Sequence, residues 1–109
     1  MPTMYVLSSN FAFEIACEDL KENLEWLESK RACAQLGDRW RLPSKEELQQ
    51  MLILHQKGIG NFELVNYWSS DGVNNFQAFN INFSNGQTNE NFSSKKPPKK
   101  YRVRPVRSI

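Results

Sequence analysis

The spacing of apolar side chains changes along the chain, and each change marks a change of secondary structure. Residues 11–17 alternate large apolar side chains with small or polar ones, and this period of two predicts a β-strand. A shorter strand is predicted over residues 5–7. Ser8-Ser9-Asn10, between the two, has the composition of a turn.

A helical period follows. Apolar and small side chains that recur at spacings of three and four residues predict a first helix over 25–36. Gly37 stands where a helix C-cap glycine belongs. The predicted inward face carries Trp26, Ser29, Cys33 and Leu36.

Ser44-Lys45-Glu46-Glu47 predicts the start of a second helix. In this capping-box pattern the Ser hydroxyl accepts from the amide three residues later, and the Glu carboxylate reaches back to the Ser amide. Pro43 restricts the residue before it to extended geometry, so residues 39–43 form a link. The helix is predicted to run to about Lys57, before Gly58 and Gly60, with an apolar face of Leu48, Met51, Leu52 and His55.

Strands and turns are predicted after Asn61. Residues 67–70 form a short strand. In 79–83 the large apolar residues alternate with Asn80 and Asn82, which predicts one buried row and one row facing solvent. Asn85-Gly86 is typical of a hairpin turn.

The predicted return strand covers residues 87–92, and residues 93–99 form an exposed loop. A last strand is predicted over 101–107, where Pro105 implies an edge position or a bulge. Strands, two helices and further antiparallel strands predict an α+β fold, with the helices packed on an antiparallel sheet. At 109 residues the chain is expected to form one domain, residues 1–109.

The formal net charge is only +2, but its distribution is uneven. Acidic residues cluster over 14–28 and basic residues over 95–107. One interpretation of such a basic segment is a binding site for an anionic polymer, either sulfated polysaccharide or nucleic acid, through sulfate or phosphate contacts. Tyr101 is its only aromatic residue. A solvated loop and a charged edge strand, which prevents strand-to-strand aggregation, is therefore the preferred interpretation, and nucleic acid is not an expected partner.

Few residues offer catalytic or metal chemistry. His55 is the only histidine, and Cys17 and Cys33 are the only cysteines, so no metal site, disulfide framework or cofactor site is predicted. The three Trp residues are expected in the core. Arg41 and Arg104 are expected in buried ion pairs with Glu47 or Asp38. The sequence also predicts no signal peptide and no membrane insertion.

Three sets of segments together resemble the DUF1566 family, which has a C-type lectin-like fold. They are Leu24-Glu25-Trp26 with residues 32–37; Trp40-Arg41-Leu42-Pro43-Ser44 with Glu47-Leu48; and Tyr67-Trp68-Ser69-Ser70 with Phe83-Ser84-Asn85-Gly86 and Val103-Arg104-Pro105-Val106-Arg107. The resemblance covers about residues 12–107. It implies that the first and last strands pair, that two helices flank the sheet, and that a loop-rich region carries the ligand.

The resemblance also implies a class of function. Members are modules of adhesins, lipoproteins and phage or bacterial display proteins, including variable proteins of diversity-generating retroelements. A cell-surface, secreted or virion location is therefore implied, with a homo-oligomer or a carrier chain left open as the means of attachment. Related formylglycine-generating enzymes use reactive cysteines that have no counterpart here, so no catalysis is expected.

Two departures from the family pattern matter. Many relatives pair the helix-one cysteine with a cysteine in the last strand, where this chain has Pro105, so Cys33 is expected to be a buried free thiol. Calcium-dependent sugar-binding lectins carry Glu-Pro-Asn, Gln-Pro-Asp and Trp-Asn-Asp motifs, and none occurs here. Calcium-dependent sugar binding is therefore not expected.

Asparagine is crowded into residues 66–91, although strands disfavour it. Its amide both donates and accepts hydrogen bonds, which suits a contact surface for a protein or carbohydrate ligand. The alternative interpretation is polar turns and exposed strand faces. In the retroelement-diversified relatives such stretches arise from adenine-rich codons. The predicted ligand-binding residues are Asp71, Asn74, Asn75, Gln77, Asn80, Asn82, Asn89 and Asn91.

Overall fold

The structure is a computed structural model that describes residues 3–72, 77–92 and 98–109, with the backbone but not the side chains of 90–92. Its order of strands, two helices and further strands confirms the predicted α+β class. The elements are β1 (Thr3–Leu7), β2 (Ala12–Ala16), α1 (Trp26–Gln35), α2 (Lys45–Gln56), β3 (Asn66–Gly72), β4 (Gln77–Asn82), β5 (Gln87–Phe92) and β6 (Val106–Ser108).

The strands form two antiparallel three-stranded sheets, not the single sheet that the sequence predicted. The first has the order β1-β2-β6 and the second the order β3-β4-β5. The implied direct pairing of the first and last strands is wrong, because β2 lies between them. One edge of β2 is taken by the local hairpin with β1, so its other edge is left for β6, where Ile15 lies opposite Val106.

The predicted last strand over 101–107 is interrupted, and only its end belongs to the regular strand β6. We call residues 101–105 the connecting segment, because they join the two sheets. Tyr101 and Arg102 form single bridges to Leu24 and to β3, and the Trp68 amide donates to the Arg102 carbonyl at 3.1 Å. Pro105 has no amide hydrogen to continue a ladder. Its carbonyl accepts from the Ala16 amide at 3.0 Å, and regular pairing resumes in β6.

Two apolar clusters lie on opposite sides of the second sheet. Tyr67 belongs to the cluster that joins this sheet to α2 and the first sheet. Its neighbour Trp68 belongs to the other cluster, which includes Cys33 of α1 and Val103 of the connecting segment. Adjacent strand residues point to opposite faces, so both faces of β3 are buried. The buried Trp40 and Trp68 confirm the expected core role, whereas Trp26 is half-buried.

Both predicted helices are confirmed, and each predicted end lies within about one residue of the observed end. The capping box of α2 is present: the Glu47 amide donates to Ser44 Oγ at 3.1 Å and the Ser44 amide donates to Glu47 Oε1 at 2.8 Å. In α1 the prediction for Leu36 is wrong. It is the C-cap residue and is 41% exposed, because it lies beyond the last turn that packs on the sheet.

Cys33 is a buried free thiol, as predicted. Its neighbours in the core are apolar, and burial raises the pKa of the thiol to about 12. The side chain therefore stays neutral and packs as a small apolar group at neutral pH.

The Arg104 guanidinium, only 1% exposed, connects several distant segments of the chain. Its Nε donates to Asp19 Oδ1 at 2.6 Å. Its terminal nitrogens donate to the carbonyls of Ala16, Gly60 and Asn61 at 3.2, 2.9 and 3.1 Å. The expected partners of Arg104, Glu47 or Asp38, are wrong, since Asp19 takes that place.

Tyr67 completes this network. Its hydroxyl donates to Asp19 Oδ2 at 2.7 Å and accepts from the Glu63 amide at 2.9 Å. Burial raises the pKa of the Tyr67 hydroxyl, which therefore remains a donor. The predicted pair between Arg41 and Glu47 is confirmed, with two hydrogen bonds of 2.7 and 2.9 Å.

We predict that Arg104→Met lowers the free energy of unfolding by about 3–5 kcal/mol, because it removes the cationic partner of the Asp19 carboxylate and the donor to three carbonyls. Urea unfolding followed by circular dichroism measures the loss. Glu63→Gln is the matched control. It breaks the exposed Arg102–Glu63 pair and is expected to cost about 0–1 kcal/mol. Equal losses in both variants would contradict a central role for Arg104.

A second prediction concerns acid. Burial raises the pKa of Glu47, but hydrogen bonds from Arg41 and the Ser44 amide outweigh it and hold the pKa below its usual range. A carboxyl with a lowered pKa in the folded state stabilises it above the unfolded pKa of about 4.3, and that contribution is lost as the pH falls through the folded pKa. Melting temperatures in acid are therefore expected to fall less steeply for Glu47→Gln than for the wild type. Glu46→Gln, at an exposed position one residue earlier, is the control and should keep the wild-type slope.

Candidate functional site

Several of the asparagines predicted to bind a ligand share one face of the second sheet. In the antiparallel register Asn66 lies opposite Asn82, which lies opposite Gln87, and Asn80 lies opposite Asn89. Directly opposed residues project their side chains to the same face. We call this face, defined by Asn66, Asn80, Asn82, Gln87 and Asn89, the amide face.

Asn80 is fully buried, so its predicted position in a row facing solvent is wrong. The amide face continues into the apolar cluster that contains Trp68 and Ala78, and Asn80 lies opposite Trp68 in the register. Its Oδ1 accepts from Asn66 Nδ2 at 2.6 Å, and its Nδ2 donates to the Asn89 carbonyl at 3.4 Å. Asn80 therefore supports the sheet and does not face a ligand.

The apolar row of residues 79, 81 and 83, which was predicted to be buried, also differs from the prediction. Ile81 and Phe83 are buried as expected, but Phe79 is only half-buried. The Lys45 ammonium lies 4.3 Å from the centroid of the Phe79 ring. A cation over an aromatic face is a favourable contact in a partly exposed position, and it covers this ring near the start of α2.

Asn82 and Asn85 shape the turn of the β4–β5 hairpin. Asn82 Oδ1 accepts from the Ser84 amide at 2.8 Å and from Ser84 Oγ at 2.6 Å. Asn85 Oδ1 accepts from the Gln87 amide at 2.9 Å. These contacts confirm the predicted hairpin and explain why asparagine suits both positions.

The accessible part of the amide face is its end near this turn. Gln87 is exposed, and Asn82 and Asn89 are half-buried. We call these three residues the presentation surface. Sheet pairing with β4 fixes the backbone of Gln87 and Asn89, so their amide groups are held on a rigid element.

Asp71 does not belong to this surface. Its Oδ2 accepts from the Lys45 amide at 2.9 Å, at the first position of α2. The first amides of a helix lack partners within the helix, so this contact satisfies one of them. Asp71 therefore joins β3 to α2, a structural role that sequence reasoning missed because the two residues are far apart in the chain.

Gln77 lies on the other face of the sheet from Asn80 and Asn82, because its position in β4 has the opposite parity. Asn74 and Asn75 lie outside the described residues. The backbone of Asn91 pairs with Ala78, and its side chain is also outside the description. Of the eight predicted residues, the structure thus brings Asn80, Asn82 and Asn89 together on one face.

The arginines of the basic segment pair with acidic residues from earlier in the chain. Arg107 makes two hydrogen bonds of 3.1 Å to Glu14, which lower the pKa of that carboxyl. Arg102 pairs with Glu63 at 2.9 Å, and Arg104 with Asp19. Although acidic and basic residues are separated along the sequence, the fold brings an acidic partner to each of these three arginines. Lys99 and Lys100 are exposed, and Lys95 and Lys96 lie outside the described residues.

A cleft of about 290 Å³ lies beside the Arg104 network. Its charged walls include Asp19, Glu63, Arg102 and Arg104, which already pair with one another. Across residues 3–72, 77–92 and 98–109, acidic, cysteine and histidine side chains form no group of three or more that could hold a metal ion. His55 lies against Phe62 and Phe83, with ring centroids 6.3 and 5.4 Å away, which fits its expected structural role.

No helix in the described part of the chain has the length and apolar character needed to cross a membrane. In comparisons with protein-family models and with curated proteins, the chain matches no family model and no curated protein.

We predict that Asn80→Ala costs about 1–3 kcal/mol of unfolding free energy, since the half-buried Asn66 amide and the Asn89 carbonyl each lose a partner. Gln87→Ala, at an exposed position of the same face, should change stability by less than about 0.5 kcal/mol. Chemical denaturation of both variants provides the measurement. If Asn80→Ala were as stable as the wild type, Asn80 would not be part of the architecture.

Proposed function

We propose that this domain is a non-catalytic binding module that engages a protein or carbohydrate ligand through the presentation surface of the β4–β5 hairpin. The observation that carries the proposal is the position of Asn82, Gln87 and Asn89. They lie at the accessible end of a face whose other end is fixed in the core. Asn74, Asn75 and Asn91 remain proposed ligand-binding residues, although Asn74, Asn75 and the side chain of Asn91 lie outside the described part of the chain.

The division between support and contact favours binding. The buried Asn80 side chain is hydrogen-bonded to the Asn66 side chain and to the Asn89 carbonyl. The neighbouring residues of the presentation surface are therefore attached to an ordered part of the sheet. A preorganised polar surface loses less conformational entropy when a ligand binds. Amide groups both donate and accept, which suits ligands with mixed hydrogen-bonding groups, such as peptides and sugars.

We further propose the C-type lectin-like fold and a relation to the DUF1566 family for residues 1–109. The capped helix after Trp40-Arg41-Leu42-Pro43-Ser44 and the order of strands and helices support this proposal. With it go a cell-surface, secreted or virion location and attachment through a carrier chain or a homo-oligomer. The first and last strands do not pair directly, but the pairing of β6 with β2 still places the C-terminal strand in the same sheet as the N-terminal hairpin.

Binding of an anionic polymer is the competing function. The ion pairs of Arg102, Arg104 and Arg107 weigh against it, because these cations are already engaged within the fold. The two functions differ in their response to salt: a phosphate or sulfate binder loses affinity steeply as salt rises, and a surface of neutral amides does not.

The proposal predicts that a ligand selected for binding to the purified domain binds through the side chains of the β4–β5 hairpin. Glycan arrays and a displayed peptide library serve as probes. Affinity for the selected ligand is then compared between the wild type and Gln87→Ala/Asn89→Ala. We expect a loss of at least about tenfold with unchanged melting, because a few central contacts supply most of the binding energy.

Lys99→Ala/Lys100→Ala is the matched control and should bind that ligand like the wild type. Retention on heparin that falls steeply with salt and is lost in this control variant would instead support the anionic-polymer function. Equal binding by the hairpin variant and the wild type would contradict the presentation surface.

The gene tests the retroelement version separately. That version requires AAC codons at most of the predicted asparagine positions and a near-repeat of the segment nearby. Other codons at most positions, without such a repeat, would remove the retroelement origin and leave the binding proposal intact.

A further inference from the structure

The sequence contains one Asn-Gly pair, Asn85-Gly86, at the tip of the β4–β5 hairpin. In such a pair the backbone nitrogen of glycine can attack the side-chain amide carbon of asparagine, since glycine has no side chain to obstruct it. The new N–C bond forms as the C–N bond to the leaving ammonia breaks and the glycine amide proton is lost. Water then opens the resulting succinimide to aspartate or isoaspartate.

The folded turn engages both reacting groups. The Gly86 amide donates to the Asn82 carbonyl at 2.7 Å, so the proton that the reaction must remove is held in a hydrogen bond. The Asn85 amide oxygen accepts from the Gln87 amide at 2.9 Å, which fixes the orientation of the side chain. Ring closure requires at least one of these contacts to break.

Two further contacts keep the turn closed. Asn82 Oδ1 holds the amide and hydroxyl of Ser84, one residue before Asn85. The tip also lies against α2, where a Cβ added at Gly86 would come within 3.5 Å of Leu52 Cδ2. Opening the tip therefore means separating it from the helix as well as breaking the turn.

We propose that Asn85 is a modification site gated by the fold: the closed hairpin suppresses its conversion to aspartate or isoaspartate, and opening of the hairpin permits it. The inference stands on the turn geometry and does not rest on the proposed binding function. The chemistry needs only water and no enzyme or cofactor.

The two products have different structural consequences. Aspartate retains an oxygen that accepts from the Gln87 amide, so the turn survives with one added negative charge. Isoaspartate moves the chain through the side-chain carbon and adds a methylene group to the backbone. We expect that insertion to disturb the turn that sets the register in which Asn82 lies opposite Gln87.

The test compares conversion at Asn85 in the native protein and in the urea-unfolded chain, at the same mildly alkaline pH and temperature, by peptide mapping with mass spectrometry. We expect conversion at least about tenfold faster in the unfolded chain, because the native rate is limited by local opening. Asn61 and Asn89, which precede Phe and Glu, serve as internal references and should react more slowly than Asn85 when unfolded.

Asn82→Ala provides the second arm. It removes the contacts to Ser84 without changing the reacting pair, so native conversion should accelerate while the unfolded rate stays that of the wild type. Circular dichroism confirms that the variant is folded. Equal native and unfolded rates in the wild type would overturn the proposal. So would an unfolded chain in which Asn85 reacts no faster than the internal references, or a folded Asn82→Ala variant that reacts at the wild-type native rate.

Discussion

The buried guanidinium of Arg104 is the interaction on which the rest of the structure depends. It neutralises Asp19 and donates to carbonyls at the end of β2 and in the loop after α2, so a single side chain joins three segments that no regular element connects. Its ring partner Phe62 lies 4.3 Å below the guanidinium carbon. A buried charge is tolerated because each of the three guanidinium nitrogens donates to an acceptor and one face of the group lies over an aromatic ring.

This network also explains how two small sheets make one domain. Arg104 belongs to the connecting segment, which bridges β3 through Arg102 and leads into β6 of the first sheet. Tyr67 of β3 donates to the same Asp19 that pairs with Arg104. The second sheet is thereby held to the first through side chains and short bridges, and its remaining hairpin, β4–β5, extends from a fixed strand. The presentation surface takes its rigidity from that arrangement.

The asparagines of the second half of the chain have different roles although the sequence presents them as one set. Asn80 satisfies a buried layer, Asn82 and Asn85 shape a turn, and Asn89 remains half-buried on an edge strand. Asparagine suits each place because a short amide both donates and accepts. A ligand would therefore meet only a few of these residues, held in position by the others.

Local chemistry determined much of this protein. The capping box at Ser44, the ends of both helices, the hairpin at Asn85-Gly86 and the buried Cys33 follow from residues close in sequence, and the sequence predicted them. Tertiary structure alone decided that the strands split into two sheets, that Asp19 pairs with Arg104 and that Asp71 caps α2, because each joins residues far apart in the chain. The same holds for Asn80. Its alternation with apolar neighbours is correct, but only the register opposite Trp68, with α1 and the connecting segment covering that face, buries it.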